Sequence, residues 1–270
     1  MAVPRAPRLI VPDVLRGVAI VAMVLAHAAP MLPGIPHVLK SVTGNISDLA
    51  SPLFALVMGM SAQLVWNAGG RVGAVLLQQA IRGVVLIALG VWMASWGSWV
   101  VIVLAFLGML LIVGVPLLLL PTRWLAVAAG LAALVSAPVN ALAREHVVPL
   151  VTSGPVIRHL AEWTVLGHSY RLTNLLPFFL LGALLLRHGL RRDRTMWGML
   201  AIAPVAYLVR PVAERMLHVD FISGSYPDTL HDIGLVFAAY AVIVLLATPS
   251  RPRPAVDAVF VPLKAWGRVA

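Results

Sequence analysis

Cysteine is absent from this chain. Disulfides and thiolate chemistry are therefore excluded, whether as nucleophile or as metal ligand. Charge is scarce: 11% of the 270 residues are Asp, Glu, Lys or Arg, against about 25% in soluble domains. With 61% hydrophobic residues and a mean hydropathy of +0.96, no soluble globular domain fits. Catalytic signatures are missing as well. No His-x-x-x-His pair stands on one helix, so a catalytic metal is not expected. Gly69-Gly70-Arg71-Val72-Gly73 is a glycine-rich turn without the strand that a dinucleotide fingerprint or P-loop needs. No Gly-x-Ser-x-Gly elbow is present, and no internal repeat or low-complexity tract.

What is present is a series of apolar runs. Spans fall at about 14–30, 48–66, 76–95, 99–120, 124–143, 172–188, 196–211 and 231–249, by length and hydrophobic continuity. The expected fold is all-α: a polytopic transmembrane helix bundle of about eight to nine spans, a single domain over residues 1–270.

The formal net charge of +10 invites a nucleic-acid reading, but its distribution argues otherwise. With the N-terminus cytoplasmic, inner segments carry 14 Lys and Arg and outer segments six. The excess is a topology signal and a contact with anionic headgroups. Arg187 to Arg194, with His188 and Asp193 among its arginines, reads as a cytoplasmic turn of this kind. Titratable groups show the reverse bias. Seven of the eight His and seven of the ten acids fall on the outer side. Acids that escape the inward bias would collect there in any case; the histidines have less reason to.

The first span is the most informative. Arg16 and His27 are eleven residues apart, which on a helix is an angular offset of about 20° and a rise of roughly 16 Å. They line one stripe, near opposite ends of the hydrocarbon core, where ionisable groups are costly and usually functional. Asp13 and Arg16 are one turn apart and can pair. Ala26-His27-Ala28 resembles a signal-peptidase site, but Asp13 and Arg16 lie against the apolar run and many spans follow, which disfavours cleavage.

The loops carry the remaining polar groups. Pro30 to Ser47 contains three prolines and two glycines and is not expected to form a long helix; it holds His37 and Lys40. The tract Arg144 to Thr173, with His159, Glu162, His168 and Tyr170, is long enough for a folded cap or re-entrant segment. Asn174 and Pro177 open the next span irregularly, as at a cavity. Ser223 to Asp228 is turn-forming, and His231 and Asp232 begin the last span. Acid–base chemistry by His remains: a neutral imidazole can deprotonate a hydroxyl or amine as it attacks an activated acyl carbon. His27 and His37 are the candidates. Arg16 suits the phosphates of a nucleotide-bearing donor.

Asp13-x-x-Arg16-Gly17 with His27, followed by Asp48-Leu49, Pro52, Phe54 and Gly59, resembles the integral-membrane acyltransferase superfamily. Arg16 and His27 are similar to the Arg-x10-His first helix of acyltransferase family 3. Asp-x-x-Arg-Gly and the Asp-Leu-x-x-Pro-x-Phe helix resemble heparan-α-glucosaminide N-acetyltransferase and its bacterial relatives. In that branch the catalytic His lies in the first non-cytoplasmic loop, where His37 stands here. Asn174 to Gly182 and Pro262 to Ala270 are weaker likenesses. In those relatives a Gly-Arg segment like Gly267-Arg268 leads into a further helix, so the chain reads as a truncated or short variant.

The resemblance implies transfer of an acyl group, commonly acetyl from acetyl-CoA, to a sugar or other glycan acceptor outside the plasma (inner) membrane, with no metal. His27 or His37 would be the base, Arg16 and Asp13 would serve the donor, and Asp48, His168, Asn174, His231 and Asp232 stand as acceptor-side candidates. Partners are the bilayer and the acceptor, with self-association into a homo-oligomer allowed. The alternative is a transporter or flippase of a small solute or lipid-linked sugar that uses buried Arg, Asp and His without covalent chemistry.

Overall fold

The computed structural model describes residues 9–31, 34, 36–97, 102–167, 170–219, 221–247 and 254–269. They form α1 (Ile10–Ala28), α2 (His37–Asn67), α3 (Val72–Ala94), α4 (Leu104–Leu117), α5 (Thr122–Glu145), α6 (Val147–Thr152), α7 (Pro155–Ala161), α8 (Leu172–His188), α9 (Arg194–Leu217), α10 (Tyr226–Ala247) and α11 (Pro254–Val269). Among the described residues there is no strand. Among the described residues six helices are long and apolar enough to cross a membrane, and α4 and α8 are shorter apolar helices. Together they match the eight runs read from sequence.

Local chemistry sets the helix limits. In α1, Pro12 falls in the first turn, where no intrahelical N–H is required, and Asp13 complements the positive end of the helix dipole. Asp193 caps α9 by accepting the Met196 N–H at 3.0 Å. Gly189 follows α8 in the left-handed conformation, φ 106°, which glycine adopts without a Cβ clash.

One expectation is corrected. The tract before Ser47 was expected to exclude a long helix, yet α2 begins at His37 and continues for 31 residues. Its prolines end at Pro36, which sits at the N-cap, and the lone Gly44 costs a helix only about 1 kcal/mol. At 1.5 Å per residue α2 is about 46 Å long, well over the roughly 30 Å hydrocarbon thickness. Likewise α9 runs through Pro211 to Leu217, and α10 starts at Tyr226. Between α5 and α8, where a folded cap or a re-entrant segment was expected, the described residues form α6, α7 and a π-helical turn at Glu162–Leu166.

The core is built on α1, α2, α4, α8 and α10, with Leu15, Leu53, Leu56, Met60, Leu110, Phe179, Leu180 and Tyr240 wholly enclosed. Small residues bring backbones into contact. Gly59 of α2 lies against the Phe179 carbonyl, and Gly182 of α8 against the Leu56 carbonyl. Gly17 meets the Leu263 backbone and Gly267 the Asp13 backbone, which seats α11 on α1. The outward faces of α3, α5 and α9 stay apolar and exposed, as at Leu77, Val84, Leu131, Leu134 and Val205, suited to lipid contact.

Two guanidiniums fasten the face on which α1 begins, called the near face. Arg16 donates from Nη2 to Ser61 Oγ at 2.5 Å and from Nη1 to the Gly267 carbonyl at 2.7 Å, joining α1, α2 and α11. Arg187 donates to Gln63 Oε1 at 2.9 Å and to the Leu120 and Leu118 carbonyls at 2.8 and 2.6 Å. It thereby satisfies carbonyls at the C-terminal end of α4 that the helix leaves open.

Candidate active site

The opposite, far face holds the polar centre. The last turn of α1, the upper half of α2, the segment before α8, the end of α9 and the start of α10 surround a cavity of about 600 Å³. That size lies within the range of small-molecule sites. His27, Asp48, Tyr170, Arg210, Asp228 and Asp232 are its ionisable lining.

Arg210 organises it. Its Nη1 donates to Asp228 Oδ1 at 2.8 Å and its Nε to Glu214 Oε1 at 2.9 Å, while Asp48 Oδ2 lies 3.7 Å from Nη1. Asp228 is buried, and its Oδ2 accepts the Gly224 N–H at 2.7 Å. Asp228 therefore spends one oxygen on the cation and the other on the turn before α10. Asp48 is held more loosely, 3.7 Å also from His231 Nε2, and both separations exceed a hydrogen bond. Asp232 has no hydrogen-bond or ion-pair partner among the described residues, although it lines the cavity. Carboxylates outnumber the guanidinium here, which suits a ligand rich in donors.

Prolines explain how the helices lend backbone oxygens to this centre. Pro211 has no N–H for the Tyr207 carbonyl one turn back, and His231 Nδ1 takes that oxygen at 3.0 Å. A carbonyl can only accept, so Nδ1 carries the proton and Nε2 is turned toward Asp48. Pro138 leaves the Leu134 carbonyl to the Tyr226 hydroxyl at 2.6 Å in the same way. Pro52, inside α2, denies the Asp48 carbonyl its helical donor.

A network of amides, a hydroxyl and two guanidiniums holds the turn before α10, which brings Ser223 to the cavity. Thr173 Oγ1 donates to Asn140 Oδ1 at 2.7 Å, and Asn140 Nδ2 donates to Asn174 Oδ1 at 2.8 Å and to the Gly224 carbonyl at 3.3 Å. Arg171 donates to the Ser223 carbonyl at 2.9 Å and its hydroxyl at 3.1 Å, and Arg144 reaches the same carbonyl at 3.3 Å. Burial, then the neighbouring Arg144, pushes Arg171 down to about 10; it stays cationic at neutral pH. Burial raises Tyr170, so its hydroxyl keeps its proton and remains a donor.

Of the sequence candidates, His27, Asp48 and Asp232 share the cavity, and His231 faces Asp48 from beside it. Asn174 belongs to the supporting network. His37 is the exposed first residue of α2, eleven residues and about 16 Å of helix from Asp48. Arg16 and Asp13 are on the near face, and His168 lies outside the described residues. Sequence reasoning passed over Arg210, Asp228 and Tyr170 as site residues. The one local signal was Arg210 and Glu214 at helical i,i+4 spacing.

A family model described as heparan-alpha-glucosaminide N-acetyltransferase, catalytic, matches residues 8–181. The chain belongs to this family. It is accordingly a multi-pass membrane protein of acetyltransferase type, as the first two helices implied. The match takes in α1 to α7 and most of α8, and so His27, Asp48 and Tyr170; Arg210, Asp228 and Asp232 are added from beyond it. No curated protein matches the chain, and no solved structure does.

Proposed function

We propose that this protein transfers an acetyl group from acetyl-CoA to a hydroxyl or amine of a glycan outside the membrane, with the near face cytoplasmic and the far cavity as acceptor site. The observation that carries the reading is the meeting of His27 with Asp48, Asp232 and Arg210 around one cavity, on a chain whose family model is catalytic. The basic excess of the near-face segments supports the orientation by the positive-inside rule.

In this reading Arg16, oriented by Ser61 and Gly267, meets the phosphates of the donor, with Asp13 beside it. The pantetheine arm covers the roughly 16 Å of α1 between Arg16 and His27. Asp48 and Asp232 accept hydrogen bonds from the acceptor and fix its nucleophile. His27 takes the proton as the nucleophile adds to the thioester carbonyl and returns it to sulfur as the C–S bond breaks, so that CoA leaves as its thiol. His27 is preferred to His37 as base because it lines the cavity and His37 stands at the exposed start of α2.

The test is transfer of radiolabel from acetyl-CoA to glucosamine by purified protein in liposomes. His27→Ala is expected to lose about 10²- to 10⁴-fold in rate, the usual contribution of a general base, and His37→Ala to stay within a few-fold of the parent. Full activity in His27→Ala would remove the assignment. Solute flux without label transfer would favour a transporter.

A further inference from the structure

A second cavity, of about 440 Å³, lies between the end of α3, the start of α4, and α7 with the π-helical turn after it. Val91, Ile102, Phe106 and Trp163 give it apolar walls. Its polar lining is confined to Ser95, which follows α3, and to His159 and Glu162, on the side where the chain leaves the spans. Phe106 packs on Tyr170 of the far cavity, with ring centroids 5.8 Å apart. The two cavities are therefore neighbours with an aromatic pair between them. Trp92 and Trp96 mark the depth of this groove. Both are exposed and packed edge to face at 4.7 Å, as in the aromatic belt at a headgroup boundary.

The polar end of the groove is built for an anion. Glu162 Oε1 accepts from Arg158 Nε at 2.9 Å, and its Oε2 lies 3.3 Å from His159 Nδ1. The His159 ring is stacked on Trp163 at 5.6 Å. Held through Nε, Arg158 keeps both Nη groups without a partner among the described residues. That fork matches two oxygens of a phosphate. We infer that this groove binds one bilayer phospholipid of the far leaflet, with an acyl chain between α3, α4 and Trp163 and the phosphate on Arg158. A soluble phosphate would leave the apolar walls unused. A hydrocarbon without a headgroup would leave the guanidinium unmet. The lipid is not the acceptor, because the Phe106–Tyr170 pair stands between the groove and the far cavity.

The test is lipid retention by the full chain. The protein is equilibrated in vesicles of palmitoyl-oleoyl phosphatidylcholine with a minor share of the diacylglycerol of the same chains, extracted in mild detergent, and examined by native mass spectrometry. The parent is expected to keep one phospholipid per chain and, per mole present, roughly tenfold less diacylglycerol, the worth of one charge-assisted contact. Arg158→Gln should lose that preference. Ala94 is exposed on the groove wall, so Ala94→Phe fills the groove and should lose the bound lipid. Val84→Phe, on the open lipid face of the same helix, should keep it. All three positions are exposed, so unfolding midpoints should stay with that of the parent. A parent without bound phospholipid, equal retention of diacylglycerol, or equal lipid loss in Ala94→Phe and Val84→Phe overturns the site. So does a dimer of the chain that Ala94→Phe abolishes, since the groove would then hold a second copy in place of lipid.

Discussion

His231 donates its Nδ1–H to the carbonyl oxygen of Tyr207 at 3.0 Å, an oxygen that Pro211 leaves without a helical donor. The proline and the histidine are thus one device. Without the proline, the carbonyl would be occupied and the imidazole would lose the bond that aims Nε2 at Asp48.

A double-mutant cycle tests that relationship. His231→Phe keeps the ring against Tyr207 and removes the donor, leaving a partly buried carbonyl without its side-chain partner, at a cost of about 1 kcal/mol. Pro211→Ala supplies an N–H to the same carbonyl. Thermal unfolding in detergent is expected to show His231→Phe clearly destabilised in the parent background and much less so when combined with Pro211→Ala. Strict additivity of the two changes would refute the coupling.

Arg210 should be the least replaceable side chain of the far face. Its removal leaves Asp228, whose side chain is 9% exposed, with a charge and no cation. Breaking a buried pair from one side costs about 3 kcal/mol or more. Arg210→Gln is therefore expected to lower the unfolding midpoint sharply, and Asp228→Asn added to it should restore part of the loss by removing the stranded charge. A second substitution that only deepens the loss would contradict this account.

The bundle was legible because apolar runs near 20 residues have no other use in a chain so poor in charge. The ends of α2 and α9 were not. Pro30, Pro33 and Pro36 look like a broken loop, but a proline at the N-cap starts a helix as readily as it ends one, and Gly44 weakens that helix without stopping it. Within the site, His27, Asp48 and Asp232 stood out because each is an ionisable group at the edge of an apolar run. Arg210 reads in sequence as a topology charge. Its role depends on carboxylates from α2, α9 and α10 meeting in space, and only the Glu214 spacing is local. The bonds from His231 to Tyr207 and from Tyr226 to Leu134 follow a rule visible in sequence, a proline four residues after an orphaned carbonyl, but nothing in the sequence names the partner.

At the near face, the α9 cap carries a pH signature. The Met196 N–H bond, aided by His188, holds Asp193 below the ordinary carboxylate value of 3.8. A carboxyl with a depressed folded pKa contributes stability above its unfolded value and loses it as pH falls through the folded one. Asp193→Ala should therefore unfold at a lower temperature than the parent at pH 7, with the difference shrinking as the pH is taken below 3.8. A difference that stays constant down to pH 2, far under the roughly 3.9 of a free aspartate, would show that the charge of Asp193 contributes nothing.

The contact of α2 with α8 leads to the broadest prediction, because it sets the site from below. Gly59 and Gly182 each press on the other helix's backbone, and a methyl at either position would overlap a carbonyl. Neither backbone can rotate away as a flexible side chain could, so the helices must separate and the Leu56 and Phe179 contacts loosen with them. Gly182→Ala and Gly59→Ala are each expected to cost about 1–3 kcal/mol, as overpacking does, and to weaken label transfer, since α2 carries Asp48 and α8 begins beside Tyr170. Gly130→Ala in α5 is the matched control: its Cβ meets nothing within 4 Å. Relieved of glycine's backbone entropy, that helix should gain about 0.5–1 kcal/mol. Equal unfolding midpoints for all three variants would mean that α2 and α8 are not held by backbone contact, and the alignment of Asp48 with Arg210 would need another cause.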